Sequence, residues 1–189
     1  MSGGRSPWRL GSGAAIRPIS FCTTSRNSPL GINRTSHVQA DLLSPLPSAD
    51  WRDRFEGDFR EGGLAPIDAA YRLLENPPSW IRGLMFLRNR MVALVGLRSV
   101  EMKAGASAGG FPVIEATPHR AVLGFDDRHL DFRIVVDTRQ GAVGQIIGVT
   151  TLVHRKNLLG RVYLLFVGPL HKRIVPATLR PFCTNVRSA

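Results

Sequence analysis

Between residues 111 and 154 the hydrophobic positions alternate with polar ones, which is the period of a β-strand. The pattern predicts four strands, over residues 111–116, 119–125, 129–137 and 145–154. In the third of them the apolar side chains stand at even-numbered positions, and the polar side chains of His129, Asp131 and Arg133 stand at odd-numbered ones. We therefore expect one face of the sheet to be buried and the other to be exposed to solvent.

A period of 3.6 residues replaces this alternation in the preceding part of the chain. Apolar residues three or four positions apart predict a short helix that begins at Pro66 and a longer one from Trp80 to Leu94. Residues 51–59 show a weaker strand pattern ahead of both helices. Up to residue 154 the predicted order is therefore a strand, two helices and a run of hairpins.

The last predicted element is a long helix for which Asn157 is a suitable N-cap. Its first half carries no charge from Val162 to Leu170, and we expect the sheet to cover that stretch. Gly168 and Pro169 predict a kink, after which the helix becomes basic. These elements together predict an α+β fold, in which an antiparallel sheet is closed by a long C-terminal helix.

The net charge of +11 changes this picture little, because the basic residues lie at the two ends of the chain. Residues 1–36 are rich in Ser, Gly, Arg and Pro and contain no acid, so we expect a disordered N-terminal extension. An organelle transit peptide and a mis-assigned start are alternatives that the composition leaves open. Residues 37–184 form the predicted domain and residues 185–189 a tail.

Two short motifs suggest chemistry, and in both cases a simpler explanation is available. Residues 105–109 match G-x-S-x-G around Ser107, but the strand before and the helix after that a nucleophile elbow requires are not predicted. Asp126, Asp127 and His129, with His119 on the preceding strand, suggest metal ligands. A hairpin turn accounts for the aspartates, since Asp accepts hydrogen bonds from its own turn backbone. We therefore predict no catalytic residue, no metal and no cofactor.

Four segments of the chain are similar in sequence and in order to those of one family. They read PPSWIR at 77–82, LGFDDRHLDF at 123–132, VTTLVH at 149–154 and LGRVY at 159–163. In these segments the chain resembles the domain of unknown function 2867 family, over roughly residues 50–182. The resemblance implies a bacterial, cytoplasmic protein that occurs alone or with a nucleotide-binding oxidoreductase domain. That family in turn resembles the helix-grip superfamily of lipid-transfer, polyketide-cyclase and plant-allergen proteins, whose sheet is wrapped around the C-terminal helix.

The leading functional hypothesis is a binding module for a small hydrophobic or lipid-like molecule, held in a cavity between the sheet and the last helix. It rests on the fold resemblance and on the uncharged half of that helix. The candidate ligand-binding residues are as follows: His129, Asp131, Arg133, Tyr163 and Phe166.

Three alternatives bear on partners and activity. A cyclase- or hydrolase-type enzyme using the same cavity stays open, although no pair of titratable residues identifies a reaction. Weak association of the basic last helix with anionic membranes stays open as well. An oxidoreductase domain acting in trans is a third expectation, whereas the scarcity of aromatic residues near the C-terminus argues against specific nucleic-acid binding.

Overall fold

The computed structural model describes residues 32–35, 38–60, 62–75, 106–142 and 144–184. For residues 182–184 it describes the backbone alone. Within these ranges the chain forms seven strands and three helices. The strands are β1 (Ile32–Arg34), β2 (Trp51–Phe59), β3 (Ser107–Ala108), β4 (Phe111–Ala116), β5 (Arg120–Asp126), β6 (Leu130–Gln140) and β7 (Gln145–Arg155). The helices are α1 (Ala40–Leu43), α2 (Pro66–Glu75) and α3 (Leu158–Thr184).

All seven strands belong to one antiparallel sheet with the order β1-β2-β7-β6-β5-β4-β3. Strands β4 to β7 follow one another as hairpins, whereas β2 joins the far side of β7, where Phe55 pairs with Val149. The four predicted hairpin strands and the strand over 51–59 are confirmed, with β6 and β7 longer than expected.

The main core lies between one face of this sheet and the helices α2 and α3. Ala69, Ala70 and Leu73 of α2 are buried there, together with Val175 and Leu179 of α3. The sheet contributes the following buried residues to the same cluster: Phe55, Phe59, Ala121, Leu123, Ile134, Val136, Ile147 and Val149. The predicted α+β fold, with an antiparallel sheet against a long C-terminal helix, is therefore confirmed.

The second face of the sheet is covered, and the prediction that it is exposed to solvent is wrong. Leu42 and Leu46, in and just after α1, pack on Val122, Val135 and Leu152, and all five are buried. These strands carry apolar residues on both faces, which is the pattern of a sheet covered on both sides.

Helix α3 begins where it was predicted to begin. The backbone N–H of Gly160 donates a hydrogen bond to Asn157 Oδ1 at 3.1 Å, which confirms the N-cap. The helix then continues through Gly168 and Pro169 as a single element. Pro169, Pro176 and Pro181 each remove one backbone donor from it.

The sheet covers the uncharged half of α3 only in part. Leu164 is buried against Leu130 and Val153, as expected. Val162, Leu165 and Phe166 instead point outward, with 45%, 71% and 65% of their surface exposed. The expectation that the sheet covers this whole stretch is therefore wrong.

Strand β1 lies inside the range predicted to be disordered. Ile32, Asn33 and Arg34 pair with Gly57, Glu56 and Phe55 of β2. The sheet thus starts at Ile32, ahead of the predicted domain boundary at residue 37. The helix predicted from Trp80 to Leu94 lies outside the described residues. Within the described part of the chain, no helix combines the length and the apolar character needed to cross a membrane.

Candidate functional site

A buried ion cluster occupies the second face of the sheet, centred on Arg54 of β2. Its guanidinium donates from Nη1 to Asp137 Oδ1 at 2.6 Å and from Nη2 to Asp137 Oδ2 at 2.9 Å, which is a bidentate pair. Nη1 also donates to Thr150 Oγ1 at 2.6 Å, and Nε and Nη2 donate to Glu56 Oε1. Burial alone would lower the pKa of Arg54, but Asp137 and Glu56 raise it above its ordinary value.

Two neighbours of Arg54 complete the cluster. Arg139 donates from Nη2 to Glu56 Oε2 at 2.7 Å, and burial of Glu56 is outweighed by its two arginines, so that its pKa is lowered. Gly148 lies directly opposite Glu56 in the register of β2 and β7. A Cβ at Gly148 would collide with Arg54 Nη2 and stand 2.7 Å from Asp137 Oδ1, so glycine leaves the space that the ion pair fills.

Beside this cluster a pocket of about 380 Å³ opens at the edge of β2. Strand β1 ends at Arg34, so the start of β2 has no neighbouring strand on that side among the described residues. The residues that line the pocket are Arg34, Thr35, Val38, Arg52, Asp53 and Arg54. Two of its three arginines already have carboxylate partners, because Arg34 Nε donates to Asp53 Oδ1 at 2.7 Å and Arg54 is paired with Asp137. Arg52 is exposed and forms no ion pair within the described part of the chain.

Asp53 connects the pocket to the opposite face of the sheet. Its side chain is almost completely buried, and its Oδ2 atom has no hydrogen-bond partner among the described residues. Thr151 lies directly opposite Asp53 in the register of β2 and β7. An unsatisfied carboxylate oxygen is costly to bury, and this one lies on the face of β2 opposite to the side chains of Arg52 and Arg54.

His171 of α3 packs over the same part of the sheet. A hydrogen bond of 2.9 Å joins its Nε2 to Thr151 Oγ1, and its ring stands edge-on to Trp51 at 5.5 Å between centroids. Burial lowers the pKa of His171 to about 4, against the opposing effect of the Asp53 charge. The imidazole is therefore neutral at physiological pH.

Acidification is expected to reduce the stability of the domain through His171. Its pKa is lowered from 6.5 to about 4 by folding, so the unfolded chain takes up the proton first. The contribution is complete above pH 6.5 and is lost as the pH falls toward 4, by at most about 3 kcal/mol. In urea unfolding, a His171→Gln variant should therefore lose less stability than the parent between neutral pH and about pH 4.5. Equal losses in the two proteins would contradict this assignment.

The structure brings two of the five predicted ligand-binding residues together and separates the others. The rings of His129 and Tyr163 stand edge-on, 6.2 Å apart between centroids, at the end of the sheet where α3 begins. Asp131 and Arg133 lie on the opposite face, where Lys156 pairs with Asp131 and Arg133 Nη1 pairs with Asp126 at 2.7 Å. Phe166 is exposed on α3. Their roles in binding stay predictions.

The other motifs form no site within the described residues. Ser107 is exposed in the two-residue strand β3. Asp127 lies 3.4 Å from His129 Nδ1, but no group of three or more His, Cys, Asp or Glu side chains in the described part of the chain is arranged to hold a metal ion. By contrast, the cluster of Arg54 and the pocket at Arg52 were not predicted. Arg52, Asp53 and Arg54 are an unusual run of charges within a strand, and that run was the available signal.

Comparison with known families agrees with the resemblance in the sequence. The family model described as "Protein of unknown function (DUF2867)" matches residues 45–178, which is more than half of the chain. This chain belongs to the DUF2867 family. The match runs from β2 into α3 and therefore includes the Arg54 cluster and half of the pocket lining, namely Arg52, Asp53 and Arg54. No curated protein and no solved structure matched the chain. That description names no activity, so the side chains of the site are what bears on function.

Proposed function

We propose that this DUF2867 domain binds a small molecule with a carboxylate or phosphate group, in the pocket at the edge of β2. The observation that carries the proposal is Arg52, a cation without an ion-pair partner in the described part of the chain, on the wall of a pocket of about 380 Å³. Arginine presents N–H groups that match the geometry of carboxylate and phosphate oxygens. The sequence-based hypothesis placed a hydrophobic or lipid-like ligand between the sheet and the last helix. The present proposal differs from it in both ligand and position, since no residue of α3 is among those that line this pocket.

The charges around the pocket support an anionic ligand. Arg34 is matched by Asp53, and Arg54 and Arg139 are matched by Asp137 and Glu56. Arg52 therefore adds a positive charge that no carboxylate of these two ion-pair groups balances. An anion that pairs with Arg52 supplies the missing charge and displaces only exposed water.

Asp53 adds a second requirement for the ligand. Its buried Oδ2 atom accepts no hydrogen bond from the described residues, although Asp53 lines the pocket. The side chains of Arg52 and Asp53 point to opposite faces of β2, so a ligand whose anionic group contacts Arg52 has to reach around the open edge of the strand to satisfy this oxygen. We therefore favour a ligand that carries a hydroxyl or amine in addition to its acidic group.

An enzyme of cyclase or hydrolase type is the second proposal. Its supporting observation is the neutral imidazole of His171, hydrogen-bonded to Thr151 and close enough to Asp53 for their charges to interact. His171 and Asp53 are thus a pair of titratable groups of the kind that the sequence alone did not identify. Mass spectrometry of a bound ligand before and after incubation tests the idea, because an unchanged mass for every ligand that binds argues against turnover.

Binding is tested by isothermal titration calorimetry with two probes, inorganic phosphate and a short 3-hydroxy fatty acid. The parent protein should bind at least one of them, and Arg52→Gln should weaken that binding about 10- to 100-fold, since it removes hydrogen bonds to a charged group. Binding of phosphate alone indicates a phosphate ligand, and binding of the hydroxy acid alone indicates a carboxylate with an apolar part.

The matched control is Arg72→Gln, which removes an exposed arginine on α2, outside the pocket lining. It should bind with the affinity of the parent. Failure of the parent to bind either probe at millimolar concentration would refute the proposal, as would equal affinity in the parent and the Arg52→Gln variant.

A further inference from the structure

Helix α3 carries an apolar stripe that faces away from the sheet. Leu158, Val162, Leu165 and Phe166 follow one another at helical spacing, and between 45% and 75% of each residue's surface is exposed. Leu159 and Leu170 lie at the margin of this stripe, with 37% and 36% of their surface exposed. We call these six residues the α3 stripe. Together they extend over about 18 Å of helix.

The stripe is not a part of the core that happens to be loosely packed. The residues of α3 that contact the sheet lie on the other side of the helix, and Gly160, Leu164, Val175 and Leu179 among them are buried. A surface helix normally buries one apolar face and exposes a polar one. Here both faces of the first half of α3 are apolar, so the outer one needs a separate explanation.

The charges on α3 select the kind of partner. Arg161, Lys172 and Arg173 are exposed on the helix, and no Asp or Glu occurs anywhere from residue 138 to the end of the chain. A surface that combines exposed leucine and phenylalanine with cations and no acid complements an anionic membrane. The apolar side chains insert among the acyl chains, and the cations pair with the lipid phosphates.

We propose that α3 docks in the plane of an anionic membrane, with the α3 stripe in the acyl-headgroup boundary and Arg161, Lys172 and Arg173 against the headgroups. The helix lies on the membrane and does not span it, because it is too short in apolar length and interrupted by these cations. This inference is independent of the pocket at Arg52 and adds a location to any activity there.

Vesicle co-sedimentation of the full chain tests the proposal. Vesicles of phosphatidylcholine alone are compared with vesicles of phosphatidylcholine and phosphatidylglycerol in a ratio of roughly 7:3, at low ionic strength where charge screening is weakest. The protein should bind the anionic vesicles at least about 10-fold more tightly than the neutral ones. Raising the salt concentration should reduce this difference.

Variants separate the α3 stripe from the rest of the surface. A chain with both Leu165→Glu and Phe166→Glu should lose at least about 10-fold in vesicle affinity and keep the thermal midpoint of the parent, because both residues are exposed. A chain with Lys172→Gln and Arg173→Gln should lose the preference for anionic lipid. Ile114→Glu is the control, since it changes an apolar residue on β4 that is 52% exposed and lies outside the stripe, and this variant should bind as the parent does.

Two results would overturn the proposal. The first is a parent protein that stays in the supernatant with anionic vesicles, and the second is undiminished binding by the Leu165→Glu, Phe166→Glu chain. Analytical ultracentrifugation and the thermal midpoint distinguish two other ways in which the stripe could be covered. A dimer that this double substitution dissociates would assign the stripe to a second copy of the chain. A monomer that the double substitution destabilises would assign it to a segment of the same chain.

Discussion

Replacing Arg54 with methionine is expected to destabilise the domain by about 3–5 kcal/mol, measured by urea unfolding. The substitution leaves the carboxylate of Asp137 and the hydroxyl of Thr150 without the guanidinium that both contact at 2.6 Å. Arg54 and Asp137 are both buried, so water does not replace the lost hydrogen bonds freely. An unpaired buried charge is among the most destabilising defects that one substitution can create.

Two further variants test whether the loss of stability comes from the buried ion pair. Arg139→Gln removes only an outer partner of Glu56. Because the side chain of Arg139 is 45% exposed, this substitution should cost no more than about 1 kcal/mol. A double variant, Arg54→Met with Asp137→Leu, should recover part of the loss because no unpaired charge remains. The assignment fails if Arg54→Met and Arg139→Gln are equally stable.

Replacing Leu179 with alanine is expected to cost about 2–5 kcal/mol, the range for a truncation that leaves a cavity in a packed core. Leu179 has no exposed surface, and it joins the far end of α3 to the core between the sheet and α2. The loss should be visible as a lower urea midpoint with an unchanged slope.

The matched control for Leu179 lies on the same helix. Leu165→Ala makes the same chemical change at a residue that is 71% exposed, and its effect should stay within about 0.5 kcal/mol. Similar losses in the two variants would show that α3 does not dock on the sheet by the face described above.

The hairpin strands and α3 could be predicted from sequence because each is long enough to show a period. Strand β7 has 11 residues and α3 has 27, and each has its capping or turn residues in place. Strand β1 and helix α1 have three and four residues, which is too few for any periodicity. Both were missed for that reason, and the cover that α1 provides over the second face was missed with them.

The site was harder to predict than the fold, because its residues meet only through the register of the sheet. Arg54 and Asp137 are 83 positions apart, and they face each other across β7 because Gly148, between them, has no side chain. A sequence pattern places each residue on a strand face but does not select which strands are neighbours. His129, Asp131 and Arg133 are close in sequence, yet they form no common site. His129 lies just before β6 and contacts Tyr163, whereas Asp131 and Arg133 on β6 pair with Lys156 and Asp126.

The order of strands has a consequence for how these molecules meet one another. Among the described residues the outermost strands of the sheet are its two shortest, β1 with three residues and β3 with two, so the rest of each edge is formed by parts of β2 and β4. An edge interrupted in this way offers no long, regular row of free backbone donors and acceptors, and this limits the pairing of one sheet with another that leads to fibrillar aggregates. The long, regular strands β6 and β7 are enclosed in the middle of the sheet, where a neighbouring molecule cannot reach their hydrogen-bonding groups. The fold thus keeps its two longest strands away from the edges of the sheet.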